Sequence, residues 1–389
     1  YNPDAEPEHV VNLHGVDYAW IYPNEHYLDP IEHLNQVGQL DAQDCLLVNG
    51  NSLLAEHYQG ELPVFTFEGH WNPAAESHVY WDTGQVGDVL DKAGQACRQI
   101  WYARYPDYED DAYVRLLEGR GLLIDQASFP HVDLLHYRLT EPRLTKTVDL
   151  QFEPLRLMGY GTTDPPPAWG RDGGLFMAWE ITQPVKEDYS AFLHVYDASG
   201  QRIALGDSLL VNQDLEPTSQ WLPGERNAAL YHLPIPPGTP PGRYELALGV
   251  YELETGHRLR LTTGETESQE TSARLQVEIG TPDGSVPIDE LHLSHPVDRE
   301  VASGLMLMGY DVEPKTVLAE GDMGVRLTWQ AVETLPQDYR LELGLRDREG
   351  QLRASVRSSM VETEYPTSKW HDGEVLQEWY HLPVDESVP

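Results

Sequence analysis

Leu155-Arg156-Leu157-Met158-Gly159-Tyr160 returns 150 residues later as Leu305-Met306-Leu307-Met308-Gly309-Tyr310. The match does not stand alone. Trp179 returns as Trp329, Asp188-Tyr189 as Asp338-Tyr339, and Asp197 with Gly200-Gln201 as Asp347 with Gly350-Gln351. After one deletion the offset becomes 149, and Pro217-Thr218-Ser219-Gln220-Trp221 returns as Pro366-Thr367-Ser368-Lys369-Trp370. Gly224-Glu225 then returns as Gly373-Glu374, and Tyr231-His232-Leu233-Pro234 as Tyr380-His381-Leu382-Pro383. Chance does not give so many ordered matches, so the chain holds two copies of one module.

The module reads as all-β. Val325, Leu327, Trp329 and Ala331 alternate with polar residues, the period of a half-buried strand. Leu341, Leu343 and Leu345 do the same, and Asp347-Arg348-Glu349-Gly350 is a hairpin turn with glycine where φ > 0 is wanted. Short strands between Gly/Pro turns predict an immunoglobulin-like or jelly-roll sandwich with the repeated tryptophans as core anchors. Copy one runs on through Gly242 to Tyr251 and Arg258 to Leu261, which read as its closing hairpin. Pro389 corresponds to Pro240, before that hairpin. Copy two is therefore expected to lack closing strands, and an unpaired edge beside an unfilled core is costly and adhesive. Either the natural protein continues, or another chain supplies the strand.

Residues 1–148 follow another grammar. Val10 to Leu13 and Tyr18 to Tyr22 suggest a hairpin. Helices are expected from Pro30 with Asp29 as cap, at Ser52 to Tyr58, at Val86 to Arg98 and at Asp111 to Leu117. Strands are expected at Asp44 to Val48, Leu62 to Phe67, Ile100 to Tyr105, Leu122 to Ile124 and Val132 to Tyr137. This alternation predicts a small Rossmann-like α/β layer, without the glycine-rich fingerprint of nucleotide binding. The expected domains are 1–148 (α/β), 149–282 (sandwich copy one) and 290–389 (copy two, incomplete).

Composition narrows the partners. The 389 residues carry 64 acidic against 26 basic side chains, net −38. Such a charge repels nucleic acid and anionic membrane surfaces. No apolar run approaches the roughly 20 residues of a membrane span, so membrane contact by this chain itself is not expected. The chain begins at Tyr1, without a Met or a signal-like segment, which suggests a processed product or a fragment. Cys45 and Cys97 both lie in apolar contexts. Buried core thiols are the simpler reading; one disulfide in an oxidising compartment is the other.

No zinc-protease, serine-hydrolase or phosphate-loop motif occurs. The histidines, among them His26, His33, His70 and His78, lack a ligand spacing. Asp107, Glu109, Asp110 and Asp111 crowd after Pro106. They suit the start of a helix, and could alternatively hold Ca2+, the one cofactor the sequence leaves open. Asp207, Asp214 and Glu216 are a weaker candidate. Aligning the copies shows a further asymmetry. Phe176, Phe192, His194 and Tyr196 stand where copy two has Arg326, Glu342, Gly344 and Arg346. This aromatic outer face reads as an internal interface with the α/β domain, or as a sugar-stacking or protein-docking surface.

Gly15-Val16-Asp17-Tyr18-Ala19-Trp20-Ile21-Tyr22-Pro23, Asp44 to Gly50 and Ile100-Trp101-Tyr102 resemble the soluble tail of large bacterial membrane glycosyltransferases, similar to the dolichyl-phosphate-mannose–protein mannosyltransferase family. Leu157-Met158-Gly159-Tyr160, Trp179, Phe192-Leu193-His194, Pro217-Thr218-Ser219 with Trp221, Pro241-Gly242 with Tyr244, and Gly249-Val250-Tyr251 resemble β modules appended to such enzymes. The resemblance implies a polyprenyl-phosphate sugar donor and a catalytic acid in a loop among membrane helices. Nothing here matches that loop, so no catalytic residue is carried over. The expectation is a non-catalytic, extracytoplasmic region at the cell surface that recognises or positions an acceptor or surface glycan. The alternative is an extracellular surface or filament protein that self-associates through the open edge of copy two.

Overall fold

The computed structural model describes residues 9–13, 16–20, 25–37, 43–49, 53–67, 70–72, 77–79, 83–105, 112–263, 266–267, 270–282, 284–291, 293–313, 321–361 and 365–384. The chain is mostly β and divides into two compact units, Tyr1–Thr140 and Glu141–Pro389.

The first unit contains β1 (His9–Leu13), β2 (Val16–Trp20), α1 (Glu25–Val37), β3 (Asp44–Asn49), α2 (Leu53–His57), β4 (Val64–Phe67), β5 (His70–Asn72), β6 (Ser77–Val79), α3 (Thr83–Ala96), β7 (Gln99–Arg104), α4 (Ala112–Glu118), β8 (Gly121–Phe129) and β9 (Val132–Leu139). Its main sheet has the order β4-β3-β7-β9-β8, parallel across β4, β3 and β7 and antiparallel beyond. β1 and β2 form a separate hairpin. Contrary to the expected start at Pro30, α1 begins at Glu25 and carries Pro30 inside it. Pro30 and Leu34 are buried, and Ile31 packs on the same core. This tertiary burial outweighs the helix bond that the proline cannot make. Cys45 on β3 and Cys97 after α3 are joined by a disulfide with Cα atoms 6.0 Å apart, so the reading as free thiols is replaced. The bond closes a 52-residue separation, and chain entropy assigns such a loop about 4 kcal/mol.

The second unit contains β10 (Lys146–Phe152), β11 (Leu155–Thr162), β12 (Gly174–Ile181), β13 (Tyr189–Tyr196), β14 (Arg202–Leu209), β15 (Arg226–His232), β16 (Gly242–Glu252), β17 (Leu261–Thr263), β18 (Thr266–Glu267) and β19 (Ala273–Ile279). It continues with β20 (His295–Ala302), β21 (Leu305–Glu313), β22 (Gly321–Ala331), β23 (Arg340–Arg346), β24 (Leu352–Ser359) and β25 (Val375–Val384). The first strand, β10, lies across the expected boundary at 148 because it already pairs with β11.

Residues 146–279 form two facing sheets, β15-β12-β11-β10-β17-β18 and β14-β13-β16-β19, closed over one apolar core. Residues 295–384 form β20-β21-β22-β25 and the pair β23-β24. Trp179 and Trp329 lie in the two cores at 0% and 3% exposure. The Leu-x-Leu-Met-Gly-Tyr motif has a local reason. Leu157 faces Trp179 and Gly159 faces Ala178 across a register shift; Leu307 and Gly309 shift in the same way against Trp329 and Thr328. A Cβ on Gly159 would stand 2.9 Å from the Lys146 carbonyl, and one on Gly309 2.8 Å from that of His295. Glycine lets the neighbouring strand close on the bulge.

Two other shared motifs are hydrogen-bond devices. The Thr218 hydroxyl accepts from the Tyr189 N–H at 3.0 Å and donates to the Glu187 carbonyl. Thr367 does the same for Tyr339, at 2.8 Å, and Gln337. In the hairpins, Gly200 and Gly350 adopt φ of +83° and +82°, and their N–H groups donate to the Asp197 and Asp347 carbonyls.

The expected closing hairpin of copy one forms at its turn, where Tyr251 bridges to Arg258, but does not continue as a paired strand. β16 does pair with β13, but its other neighbour is β19, and Leu261 crosses to the opposite sheet as part of β17. The alternation Ala273-Arg274-Leu275-Gln276-Val277-Glu278-Ile279, buried at every second residue, marks the strand that the sequence reading passed over.

Candidate functional site

The aromatic face expected from the sequence is split by the sandwich. Phe192, His194 and Tyr196 project from β13 on the outer side of the four-stranded sheet, whose inner side carries Ala191, Leu193 and Val195. Phe176 belongs to β12 of the other sheet, between core residues Leu175 and Met177, and is buried on that sheet's outer side. Period-two reading places all four residues outside a sheet. It does not say which of two sheets, and the sandwich turns their outer sides away from each other.

The three β13 residues share a strip with arginines that the sequence reading did not select. Phe192 faces Gly249 on β16. A Cβ there would collide with the Phe192 ring, so glycine lets the ring lie across the neighbouring strand. The Arg258 guanidinium sits 4.7 Å from the Phe192 centroid, brought there by the turn in which Tyr251 bridges to Arg258. Phe192 and His194 approach to 4.9 Å between centroids. His194 Nε2 is 3.6 Å from Asp207 Oδ1 on β14, an ion-pair distance rather than a hydrogen bond. Burial, with Arg202 and Arg258 nearby, holds the His194 imidazole below its ordinary range against the opposing pull of Asp207. The neutral imidazole that burial favours can accept one hydrogen bond and donate another.

Tyr196 is partly exposed and faces Arg274, whose guanidinium lies 5.4 Å from the ring centroid and pairs with Glu245. Arg274 and Glu245 also line a surface pocket of about 520 Å³ with Lys146, Tyr160, Arg243 and Gln276. Aromatic rings beside forked cationic donors can take the C–H face of a sugar ring and its hydroxyls, or an acidic side chain. Arg274 was legible through the alternation of β19. Arg258 was not, because a turn brings it over β13.

The other candidates fare differently. Asp107, Glu109, Asp110 and Asp111 lie outside the described residues. Among the described residues no three His, Cys, Asp or Glu side chains gather as metal ligands. Asp214 and Glu216 take part in a turn in which both backbone N–H groups donate to Asn212 Oδ1. His33 is placed edge-on to Trp101 and Phe129, a core position rather than a ligand position. In the first sandwich His232 Nδ1 lies 2.7 Å from Asp172 Oδ1, joining β15 to the loop before β12. No helix among the described residues is long and apolar enough to cross a membrane.

No protein-family model matches the chain, and no curated protein matches it.

Proposed function

We propose that this chain is a non-catalytic, extracytoplasmic region of a membrane glycosyltransferase-like protein and that it recognises a glycan at the cell surface. On this reading the first unit is a Rossmann-like layer and the two sandwiches are copies of one module. The observation that carries the reading is the strip Phe192–His194–Tyr196 with Arg258 and Arg274. Tyr196 offers a partly exposed ring, His194 both hydrogen-bond roles, and the arginines planar donors for hydroxyl or carboxylate groups. The disulfide between Cys45 and Cys97 supports an oxidising compartment. The resemblance noted in the sequence supports the link to polyprenyl-phosphate-sugar enzymes, and no donor-handling residue is assigned here.

The test is binding of the full chain to a panel of immobilised, purified bacterial cell-surface polysaccharides. At least one should be retained, and Tyr196→Ala or His194→Ala should each weaken retention about ten-fold, the loss of roughly 1.4 kcal/mol. Retention of none, or retention indifferent to both substitutions, overturns the reading. The chain alone should turn over no polyprenyl-phosphate sugar; a measured transfer rate would replace recognition with catalysis.

A further inference from the structure

We propose, resting on the glycan reading above, that the glycan is an acidic one, and that the carboxylate of a uronic-acid sugar is held in the pocket beside Tyr196 by Lys146, Arg243 and the Tyr160 hydroxyl. The two ends of the aromatic strip differ. Phe192 is buried at 5% exposure under the Arg258 guanidinium, so its ring packs within the protein. Tyr196 keeps part of its ring exposed and stands opposite Glu245, which stands opposite Gln276. Glu245 and Gln276 both line the pocket of about 520 Å³, so the open end of the strip runs into it. Small-molecule sites span roughly 300–1,000 Å³, room enough here for a sugar ring.

The pocket is cationic in an acidic chain. Lys146 on β10 stands opposite Tyr160 on β11, and Arg243 and Arg274 come from exposed positions of β16 and β19. The Tyr160 hydroxyl accepts the Gln276 N–H at 3.4 Å, and its own proton has no acceptor among the described residues. A phenol O–H among cations is a donor suited to an anion. Two carboxylates limit the charge: Glu245 pairs with Arg274, and Glu278 stands opposite Arg243. Three cations against two carboxylates leave one positive charge in excess. That matches a single carboxylate, whereas a dianionic phosphate would meet Glu245 at close range. The planar guanidinium also fits the planar carboxylate. The whole chain is net −38. In 0.15 M salt, however, charges beyond about 8 Å are largely screened, so the pocket's own charges decide. The second sandwich is built differently at this place. There Tyr310 faces His295, whose ring stacks on it with centroids 4.7 Å apart.

The test is isothermal titration of the full chain, in about 0.15 M salt, with hexamers of galacturonate, glucuronate and guluronate. Their methyl esters, neutral maltohexaose and hexaglutamate are titrated beside them. At least one uronate hexamer should bind. Its methyl ester, which keeps the rings and loses the charge, should bind about ten-fold more weakly, as should hexaglutamate. Arg243→Gln and Lys146→Gln, both at exposed positions, should each weaken uronate binding about five-fold. Arg299→Gln, an equal change of net charge at an exposed position of the second sandwich, should not. Ester or hexaglutamate binding as tight as the uronate overturns the proposal. So does uronate binding that is indifferent to both pocket substitutions, or weakened equally by Arg299→Gln. A neutral polysaccharide retained through Tyr196 while no uronate hexamer binds also overturns it and leaves the glycan reading standing. Retention of no glycan of either kind ends both.

Discussion

The two sandwiches share their local devices and differ in what surrounds them. Both build the Gly bulge facing a core tryptophan, the buried threonine that bonds the backbone of the Asp-Tyr pair, and the Asp-to-Gly hairpin. Yet β13 is a central strand buried on its inner side, while β23 is an edge strand with half-covered leucines. The outer faces differ in step. Gly161 faces Phe176 in the first sandwich, and the equivalent pair in the second is Asp311 and Arg326. Phe192 faces Asp207, and its equivalent pair is Glu342 and Arg357. These outer positions carry aromatic rings in the first sandwich and ion pairs in the second.

The comparison breaks first, if it breaks, at the tryptophans. Trp179→Ala and Trp329→Ala should each cost about 3–5 kcal/mol, the range for emptying a large aromatic site. Urea unfolding of both variants checks this, and a clearly smaller cost for Trp329 would mean that the cores are not equivalent. The leucines sharpen the contrast. Leu193→Ala should cost about 3 kcal/mol, but Leu343→Ala only about 1 kcal/mol, since a half-covered side chain loses less apolar burial and leaves less cavity. Equal costs would show that β23 is covered in solution.

Thr218→Val and Thr367→Val should be destabilising to a similar extent, about 1–3 kcal/mol each, because each strands a tyrosine N–H, buried at Tyr189 and partly buried at Tyr339. Thermal melts of the pair measure it, and a gap of several kcal/mol would end the claim of a shared device.

The smallest effect separates the copies by pH. Burial alone would raise the Asp311 carboxyl, but hydrogen bonds from Ser294 and Arg326 more than offset that and hold it below the usual range. A depressed folded pKa gives stability that is whole above about pH 4 and is lost as pH falls through the folded value. Asp311→Asn should therefore cost about 1–2 kcal/mol near neutrality, and the difference from wild type should shrink as pH falls through the depressed folded value. Gly161 and Phe176 provide no such term in the first sandwich. A cost independent of pH would assign the effect of Asp311 to shape.

His136 tests the same linkage with the same sign, in the first unit. It stacks on Trp101 with centroids 4.0 Å apart, and burial pulls its imidazole down to about 4 against the pull of Asp125. The unfolded state then binds the extra proton between about pH 6.5 and 4, so this unit should lose stability as pH falls through that window. His136→Phe should flatten the slope in an acid titration followed by circular dichroism.

Much of this was legible in the chain. The alternations at Val325 to Ala331 and Leu341 to Leu345 located two strands and their inward sides. The helices of the first unit were placed to within a few residues, apart from α1, which starts at Glu25, ahead of the expected cap at Asp29, with Pro30 and Leu34 buried. β19 was also legible, through its alternation, and was passed over because it follows a long turn-rich stretch.

What the sequence by itself determined is therefore local: the period of the alternating strands and the turn residues. These depend on a residue and its near neighbours, and a single chain displays them. What only the tertiary structure decided is which distant segments meet. It bonded Cys45 to Cys97, set Phe176 and Phe192 on different sheets, and brought Arg258 over a ring 66 positions earlier in the chain. Period-two alternation assigns a side chain to one of two sides of its own sheet. It carries no term for which sheet that is or what lies next to it, and those follow from the packing of the whole core.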